Sequence, residues 1–347
     1  MSVEWSEAEA SVVNALQAGI PLTPYPFEEI GRQYGLSGDT VLALVRKLKA
    51  DRSCRRVGAI FDARRLGYRS VLCGALAPAS ELDRCAAIAS ACPGVTHCYE
   101  RGWPSELPPD SPGAPGKRIW PNLWFTLATP ADTFDAEIER LQAAFGAVAI
   151  QTLPAVRRFK IDVVFDLRTR TRDEKTEPST RRSPKPISDD GTVFAVTDTE
   201  REIIRSMQGD METEARFFAP IAAQAGMSET QLLDTLRNWL ENGVLRRIAL
   251  ILRHRQVGFK ANGMCAWDVA ESETLLKGRE LAQYPEITHC YERPRSPLFP
   301  FRLYAMIHTT SFRGTQQLFE RISRETHLDN GQLLLSLHEY KKTSMVF

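Results

Sequence analysis

The sequence lacks several features that would assign the chain to a specialised class. Its seven cysteines are odd in number and never form a CxxC pair, which argues against a disulfide scaffold and against a structural zinc site. No run of about eighteen apolar residues occurs, so we expect no membrane span. The N-terminal MSVEWSEAEA has neither the basic region nor the apolar region of a signal peptide. These absences together predict a cytoplasmic protein.

An excess of charge of one sign is also missing. The chain has 44 Lys and Arg against 43 Asp and Glu, for a net charge of +1. A dedicated nucleic-acid binder usually shows a basic excess, so this balance argues against one. Hydrophobic residues are 43% and charged residues 25%, which is average for a soluble globular protein. At about 100–200 residues per domain, the length allows two to four domains.

The chain contains an internal repeat. With a shift of 191 positions, the capping box at 6–9 falls on that at 197–200, and the Arg-Arg pair at 55–56 falls on 246–247. One residue of slippage later, the pentapeptide HCYER at 97–101 recurs unchanged at 289–293. An identical pentapeptide in a collinear register is hard to obtain by chance. The chain therefore consists of two homologous halves.

Each half shows the same order of predicted elements. Three short helices and an apolar strand come first, as in a winged helix-turn-helix, and the order βαββαβ that follows is ferredoxin-like. Apolar residues recur at helical spacing in the third helix of each half, at Val41, Leu44, Val45 and Leu48, and at Leu232, Leu233, Leu236 and Leu240. The last strand of the first half is predicted over 148–160. We expect an α+β protein built from a tandem duplication of this module.

The domain boundaries follow from the repeat and from a change in composition. Residues 168–192 are charged, Pro-rich and nearly free of large apolar side chains, which is typical of an exposed linker. The predicted domains are two winged helix-turn-helix segments at 1–60 and 193–251, and two ferredoxin-like segments at 61–167 and 252–347. A long Pro- and Gly-rich loop at 102–118 is either a functional lid or a dispensable insertion.

This architecture resembles the Lrp/AsnC family of transcription regulators, whose C-terminal module dimerises and binds small molecules. Base edges and phosphates are usually contacted by Arg, Lys, Asn or Gln. The second candidate recognition helix instead carries Glu229, Asp234 and Glu241, with only Arg237 in its body. A ligand-sensing DNA-binding regulator is therefore the alternative function, and DNA is not an expected partner.

Three further motifs are more specific. They are the Arg-Arg pair entering a strand, the sequences VTHCYER and ITHCYER, and the segments WPNLWFTLA and FPFRLYAMIH. Together they are similar to the sirohaem decarboxylases, a branch of the Lrp/AsnC superfamily, over both halves. The half with FDARRLGY is similar to one subunit type, and the half with LRHRQVGFKANGM is similar to the other. The resemblance implies loss of carbon dioxide from the C12 and C18 acetate groups of sirohaem, giving 12,18-didecarboxysirohaem. The fusion of both types favours haem d1 biosynthesis in denitrifiers over the alternative haem b route.

A sirohaem site needs an apolar slot for the ring and cationic groups for the carboxylates. Side chains alternate along a strand, so His97, Tyr99 and Arg101 should share one face, as should their repeats, and only one arginine of each Arg-Arg pair should face the site. The aromatic residues Trp120, Trp124, Phe299, Phe301 and Tyr304 either wall the ring or form ordinary core. The predicted substrate-binding residues are Arg56, Arg64, His97, Tyr99, Arg101, Arg247, His289, Tyr291, Arg293, His338 and Lys341.

The predicted catalytic residues are His254, His308 and Arg255. The reaction needs an acid and suitably placed charge, and histidine is the natural acid near neutral pH. His254 aligns with Ala63, His308 near Ala128 and His338 near Arg157, so the second half is expected to hold the competent centre. We expect no external cofactor and no metal of the protein's own. His289 or His254 is a candidate axial ligand of the substrate iron.

The expected partners are sirohaem and, within one chain, the other half of a pseudo-dimer. A homodimer and contacts with other haem d1 biosynthesis proteins are left open, and no membrane is expected. A third alternative is a tetrapyrrole-binding subunit that releases sirohaem unaltered.

Overall fold

The computed structural model describes residues 5–116, 119–161, 192–253 and 258–347. They group into two compact units, and each unit draws on both halves of the sequence. The helical unit contains the described residues of 5–67, 192–258 and 346–347. The sheet unit contains those of 68–161 and 259–345. No helix in the described ranges is long and apolar enough to cross a membrane.

The helical unit is built from two sets of three helices. They are α1 (Glu7–Ala18), α2 (Pro26–Gln33) and α3 (Gly38–Ala50), and α6 (Asp198–Gln208), α7 (Ala219–Gln224) and α8 (Glu229–Glu241). Both predicted capping boxes are confirmed, since the Ser6 and Thr197 hydroxyls accept from the backbone of Glu9 and Glu200, whose carboxylates bond back. Each cap satisfies backbone donors that the first turn leaves without an intrahelical partner.

The third helix of each set buries one face. In α3 the predicted apolar residues are all buried. In α8, Leu232, Leu233 and Leu236 are buried, whereas Leu240 is 39% exposed and the neighbouring Trp239 is fully buried. Trp239 lies three residues after Leu236 and fills the same helical stripe, which turns Leu240 towards solvent.

A two-stranded antiparallel ribbon joins the two helix sets. It is formed by β1 (Cys54–Phe61) and β7 (Leu245–Leu252), with Val57 opposite Leu250. The predicted strand after each helix set is confirmed. However, each strand pairs with its counterpart from the other half.

The sheet unit contains the remaining elements: β2 (Tyr68–Ala75), α4 (Ala79–Ala91), β3 (Val95–Gly102), β4 (Leu123–Pro130), α5 (Phe134–Phe145), β5 (Ile150–Leu153), β6 (Arg157–Ile161), β8 (Ala261–Trp267), α9 (Glu271–Ala282), β9 (Ile287–Glu292), β10 (Leu303–Thr309), α10 (Phe312–Glu325) and β11 (Gly331–Lys342). Among the described residues the strands form one sheet in the order β5-β2-β4-β3-β11-β8-β10-β9-β6. Within it, β5-β2-β4-β3 and β11-β8-β10-β9 each have the strand order of a βαββαβ module. This confirms the ferredoxin-like prediction for both halves.

The two halves exchange their last strands. The start of β11 pairs with β8 of its own half, but from Leu335 onwards it pairs with β3 of the first half. In the first half the single strand predicted over 148–160 is wrong, because it is divided into β5, on β2, and β6, on β9. The break falls at Pro154, which has no N–H to donate to a ladder.

Apolar residues fill both faces of the sheet. The helix side of the first half is a core that includes Cys98 and Phe125, and that of the second half includes Cys290 and Trp267. The opposite face carries an aromatic cluster that contains Trp124 and Phe299. A strand in this sheet therefore sends alternate residues to the helix-side core and to the aromatic face.

The described part of the long loop, up to residue 116, is packed against the second half. Leu107 belongs to the second half's core, and the Gly113 carbonyl accepts a hydrogen bond of 3.0 Å from the backbone of Leu333. Gly113 has φ 82°, and a Cβ there would lie 2.6 Å from the Phe319 ring. Glycine is thus required by both backbone and space. The described part of the loop covers the edge of β11 and is not a free lid.

Candidate functional site

The repeated HCYER segments lie on β3 and at the end of β9. Cys98 and Cys290 are fully buried in the helix-side cores. Burial raises the pKa of Cys98 to about 11 and that of Cys290 to about 12, so these thiols are neutral packing groups. Because side chains alternate, the His, Tyr and Arg of each segment lie on the opposite face.

These three side chains stack in the same way in both halves. We call His97, Tyr99 and Arg101 the first triad, and His289, Tyr291 and Arg293 the second triad. The His and Tyr ring centroids are 6.3 Å apart in the first triad and 6.2 Å in the second. The guanidinium carbon lies 5.1 Å and 4.9 Å from the tyrosine ring, respectively. The prediction that each triad shares one face is confirmed.

A threonine orients the histidine of each triad. The Thr96 hydroxyl lies 3.0 Å from Nδ1 of His97, and the Thr288 hydroxyl lies 3.1 Å from Nδ1 of His289. A partner at one ring nitrogen restricts the orientation of the ring, while a hydroxyl, which can donate or accept, is compatible with either tautomer. These threonines directly precede the repeated pentapeptide in both halves. Their presence in VTHCYER and ITHCYER could have identified them as site residues from the sequence.

The two triad arginines are buried and reach into the other half. Arg101 is 6% exposed and donates to the Asn262 side-chain oxygen at 3.2 Å. Arg293 is 8% exposed and donates to the carbonyl oxygen of Leu153. Burial lowers the pKa of Arg101 to about 10, which leaves it protonated at neutral pH. A buried cation of this kind favours an anionic partner.

Asn262 is a site residue that the sequence interpretation missed. It lies on β8, where every residue is buried, and its side-chain oxygen also accepts from the Ser336 hydroxyl at 2.6 Å. The sequence did contain a signal for this residue, namely a single amide side chain within an apolar strand. Since buried polar groups need hydrogen-bond partners, such an amide indicates a polar neighbour.

His308 lies on the same face of the sheet as the second triad. On β10 it alternates with Ile307, which belongs to the helix-side core, and it pairs with Asn262 of β8. Two and four residues before it, Met306 pairs with His289 and Tyr304 with Tyr291. The structure thus brings His308 and the second triad onto one surface of adjacent strands.

The five aromatic residues predicted either to wall a ring or to form core pack against one another. Ring centroids are 5.1 Å apart for Trp124 and Phe299, 4.6 Å for Phe299 and Phe301, and 5.3 Å for Trp120 and Phe301. Four of the five are fully buried, which supports the core alternative for them. Tyr304 is unusual among these four because its buried hydroxyl has no hydrogen-bond partner among the described residues. Burial raises its pKa.

Two predicted substrate-binding residues on β11, His338 and Lys341, do not contact the triads in the way that the triad residues contact one another. His338 is exposed and packs its ring 4.4 Å from that of Tyr340. The Lys341 ammonium donates to the Cys92 carbonyl at 2.8 Å, at the C-terminal cap of α4. Since α4 covers the helix side of the sheet, Lys341 lies on the face opposite the first triad.

Three predicted arginines belong to the helical unit. Arg56 donates to the carbonyls of Gln208 at 2.7 Å and Ala59 at 3.2 Å, and burial lowers its pKa to about 10. Arg64 lies in the turn after β1, and Arg247 pairs with Ile60 in the ribbon. Substrate contact by these arginines stays a prediction, and the contacts of Arg56 give it a structural role at the end of α6.

Two of the predicted catalytic residues, His254 and Arg255, lie outside the described residues. Within the described ranges, no group of three or more His, Cys, Asp and Glu side chains has the arrangement of a metal site. Axial ligation by His289 or His254 stays a prediction.

The fold and the duplicated triads define a tandem AsnC-like protein with two helix-turn-helix segments. The family model for an AsnC-like ligand binding domain matches residues 65–160 and 256–341. The model for a siroheme decarboxylase NirDL-like HTH domain matches residues 9–55 and 200–246. Both models match twice, which agrees with the repeat.

The similar proteins are more specific. The chain is 33% identical to the siroheme decarboxylase of Hydrogenobacter thermophilus over 97% of this chain and 93% of that protein. It is 34% identical to the siroheme decarboxylase beta subunit of Methanosarcina barkeri over 42% of this chain and 97% of that subunit. The crystal structure of the siroheme decarboxylase NirDL, solved also with an iron-uroporphyrin III analogue, matches with TM-score 0.69 and 28% identity over 98% of this chain and 94% of that one. The chain belongs to the sirohaem decarboxylase family and is of the fused NirDL type.

Proposed function

We propose that this chain removes carbon dioxide from the C12 and C18 acetate groups of sirohaem and yields 12,18-didecarboxysirohaem for haem d1 biosynthesis. The observation that carries this proposal is the similarity to a sirohaem decarboxylase over 97% of the chain. The duplicated triads supply what a polycarboxylate substrate needs, since each presents a buried guanidinium beside an aromatic ring and an imidazole. Guanidinium groups bind carboxylates through paired N–H donors.

The reaction balances without an oxidant or a reductant. The bond between the acetate methylene and its carboxylate breaks, carbon dioxide leaves, and the electron pair passes into the macrocycle. A proton then adds to the methylene carbon and gives a methyl group. The macrocycle accepts the electrons, and the protein supplies the proton and the charges around it. We therefore propose that no external cofactor is used.

The proton donor in this proposal is His254 or His308, and Arg255 supplies positive charge beside it. His308 is supported by its place beside the second triad, on the same face as Tyr304 and Tyr291. The triads would bind the peripheral carboxylates, with His289 or His254 as the ligand of the substrate iron. A guanidinium has five N–H donors, so the Asn262 contact does not exhaust the donors of Arg101.

The second candidate recognition helix, α8, offers little for DNA readout. Arg237, the only arginine in the body of α8, donates to Asp234 at 2.6 Å and to the Leu22 carbonyl at 3.0 Å. An arginine held in this way by its own protein is not presented to a base edge. The regulator alternative therefore has less support than decarboxylation.

The test is anaerobic incubation of the purified chain with sirohaem, followed by mass spectrometry of the tetrapyrrole. We expect a product lighter by two carbon dioxide units. Sirohaem that is bound stoichiometrically and recovered unaltered would contradict the proposal and would indicate a non-catalytic binding subunit. Salt-dependent binding to a defined operator duplex without turnover would indicate a regulator.

A further inference from the structure

The two ends of the β1–β7 ribbon differ in charge. At one end, Nη2 of Arg246 lies 2.7 Å from Oδ2 of Asp62, whose side chain is only 3% exposed. In the repeat of 191 positions, Arg246 corresponds to Arg55 and Asp62 corresponds to Arg253. One end therefore has an ion pair, whereas the other end has two arginines at the equivalent positions.

The end with two arginines borders a cleft. Its volume is about 400 Å³, and its lining residues are Lys49, Arg52, Cys54, Arg55, Asp210 and Arg253. This volume lies within the range of roughly 300–1,000 Å³ that small-molecule sites occupy. We call it the basic cleft, and none of its residues belongs to the triads.

The single carboxylate among these lining residues is already engaged. Asp210 lies 2.8 Å from the Lys49 ammonium and accepts a hydrogen bond of 2.8 Å from the backbone of Val57. Asp210 and Lys49 therefore offset each other. The three arginines leave the lining of the cleft with an excess of positive charge.

The backbone conformation at Arg52 indicates that this side chain has a role other than stabilising the fold. Arg52 has φ 62°, and the equivalent residue of the second half is Gly243 with φ 71°. A left-handed conformation suits glycine and strains a residue with a Cβ. The first half therefore keeps a cation at a position where its own repeat has the unstrained residue.

Three positions differ in this way between the two ribbon ends. Lys49 corresponds to Leu240, Arg52 to Gly243 and Arg253 to Asp62. At each position the first end has a cation where the second has none. Like charges gathered around a concave surface repel one another and attract anions. Lys49 is offset by Asp210, but the cations at Arg52 and Arg253 are the opposite of what folding stability alone would favour.

We propose that the basic cleft binds an oligo-anion with two or more carboxylate or phosphate groups. Both groups match the fork of N–H donors that a guanidinium presents. The cleft holds roughly a dozen water volumes of about 30 Å³ each, which is more than a single small anion fills. The ligand is either a small free oligo-anion or the carboxylate substituents of a tetrapyrrole held outside the reaction centre.

The test is calorimetric titration of the full chain with pyrophosphate and with citrate at low ionic strength, where screening is weak. Arg253→Asp recreates the arrangement of the other ribbon end, and Arg52→Gly recreates Gly243. Arg279→Asp, on the exposed face of α9, is the matched control for the charge change. We expect one saturable site in the unmodified chain and in the control.

Arg253→Asp should weaken binding by about tenfold or more, and Arg52→Gly by a few fold, as loss of charge-assisted hydrogen bonds at an open site predicts. Because Arg52→Gly relieves backbone strain, its melting temperature should not fall, and this separates a binding role from a folding role. Equal affinity in all four proteins, or no saturable binding of either probe, would overturn the proposal.

A second titration, with iron-free uroporphyrin, distinguishes the two sources. If citrate competes with uroporphyrin and Arg253→Asp weakens both, the cleft receives tetrapyrrole carboxylates. If uroporphyrin binding is unaffected, the ligand is a small free oligo-anion. Neither readout depends on turnover of sirohaem, so failure of the proposed decarboxylation would leave this result interpretable.

Discussion

The two halves of the chain share geometry and differ in chemistry. Their triads superimpose in their internal distances, with ring separations of 6.3 Å and 6.2 Å. Yet His254, His308 and His338 have no histidine counterpart in the first half. Duplication has thus preserved a charged aromatic surface with one histidine in both halves, while these three further histidines are confined to the second half.

The surroundings of the triads differ in the same sense. The first triad's arginine is bound by a side-chain amide, and the second triad's arginine by a backbone carbonyl. On the strand beside the second triad, Tyr304 keeps a buried hydroxyl with no partner in the described part of the chain. Its counterpart beside the first triad, Trp124, donates to the Pro121 carbonyl at 2.7 Å. The polar group beside the first triad therefore has a hydrogen-bond partner, whereas the hydroxyl beside the second triad is left able to form one.

The largest expected effect comes from the proposed acid. His254→Ala should lower turnover of sirohaem by about 10²–10⁴-fold, the usual contribution of a general acid, while sirohaem affinity changes little. Single-turnover kinetics and equilibrium titration measure the two quantities separately. Ala63→His is the matched change in the first half and should leave turnover near that of the unmodified chain. Equal loss of binding and turnover in His254→Ala would contradict an acid role.

The next largest effect is expected from a comparison of the two triad histidines, which tests whether the second triad takes part in the reaction more directly than the first. His289→Ala should lower kcat/KM by about 100-fold, as loss of a group close to the reacting centre predicts. His97→Ala should lower it much less, because the first half is expected to be supporting. Both histidines are half-buried and contact an equivalent threonine, so the two variants are matched in structural disturbance. Equal losses would show that both triads contribute alike.

A smaller effect is expected on stability at the two ribbon ends. Arg246→Ala leaves the buried Asp62 carboxylate without its ion pair and should lower the free energy of unfolding by about 2 kcal/mol. Arg253→Ala removes an exposed cation from the basic cleft at the other end and should change the free energy of unfolding by less than about 0.5 kcal/mol. Urea unfolding followed by helical circular dichroism measures both. A larger loss for Arg253→Ala would show that the basic cleft is a stabilising structure.

Much of this fold follows from local patterns in the sequence. The capping boxes at Ser6 and Thr197, the order βαββαβ and the shared face of each triad depend on spacing within one segment. The exchange of last strands does not depend on such local spacing. The periodicity of a strand predicts which faces its side chains occupy but not which neighbouring strand it pairs with. The ion pair of Arg246 with Asp62 was missed for the same reason. It forms across the ribbon, between residues far apart in sequence.

The break at Pro154 is a different kind of miss. The missing N–H of proline was visible in the sequence and argued against a continuous strand over 148–160. The aromatic cluster shows a further limit. Composition alone did not decide between core and ligand wall for Trp124 or Phe299, whereas mutual ring packing supports core. Asn262 became a site residue only once β8 was placed beside β10 and β11.

The smallest expected effect is on stability, at two equivalent lysines where the two halves should behave alike. Lys341 of the second half donates to the Cys92 carbonyl at 2.8 Å, and Lys160 of the first half donates to the Tyr284 carbonyl at 2.6 Å. Cys92 is the C-terminal cap of α4, and Tyr284 directly follows the C-terminal cap of α9. Each lysine thus lies near the C-terminal end of a helix in the other half, where a cation complements the helix dipole. Lys160→Met and Lys341→Met keep the apolar stem and should each lower the free energy of unfolding by about 1 kcal/mol. Thermal unfolding of the two variants measures this. A loss of sirohaem affinity in Lys341→Met, with stability equal to that of Lys160→Met, would instead support its predicted contact with substrate.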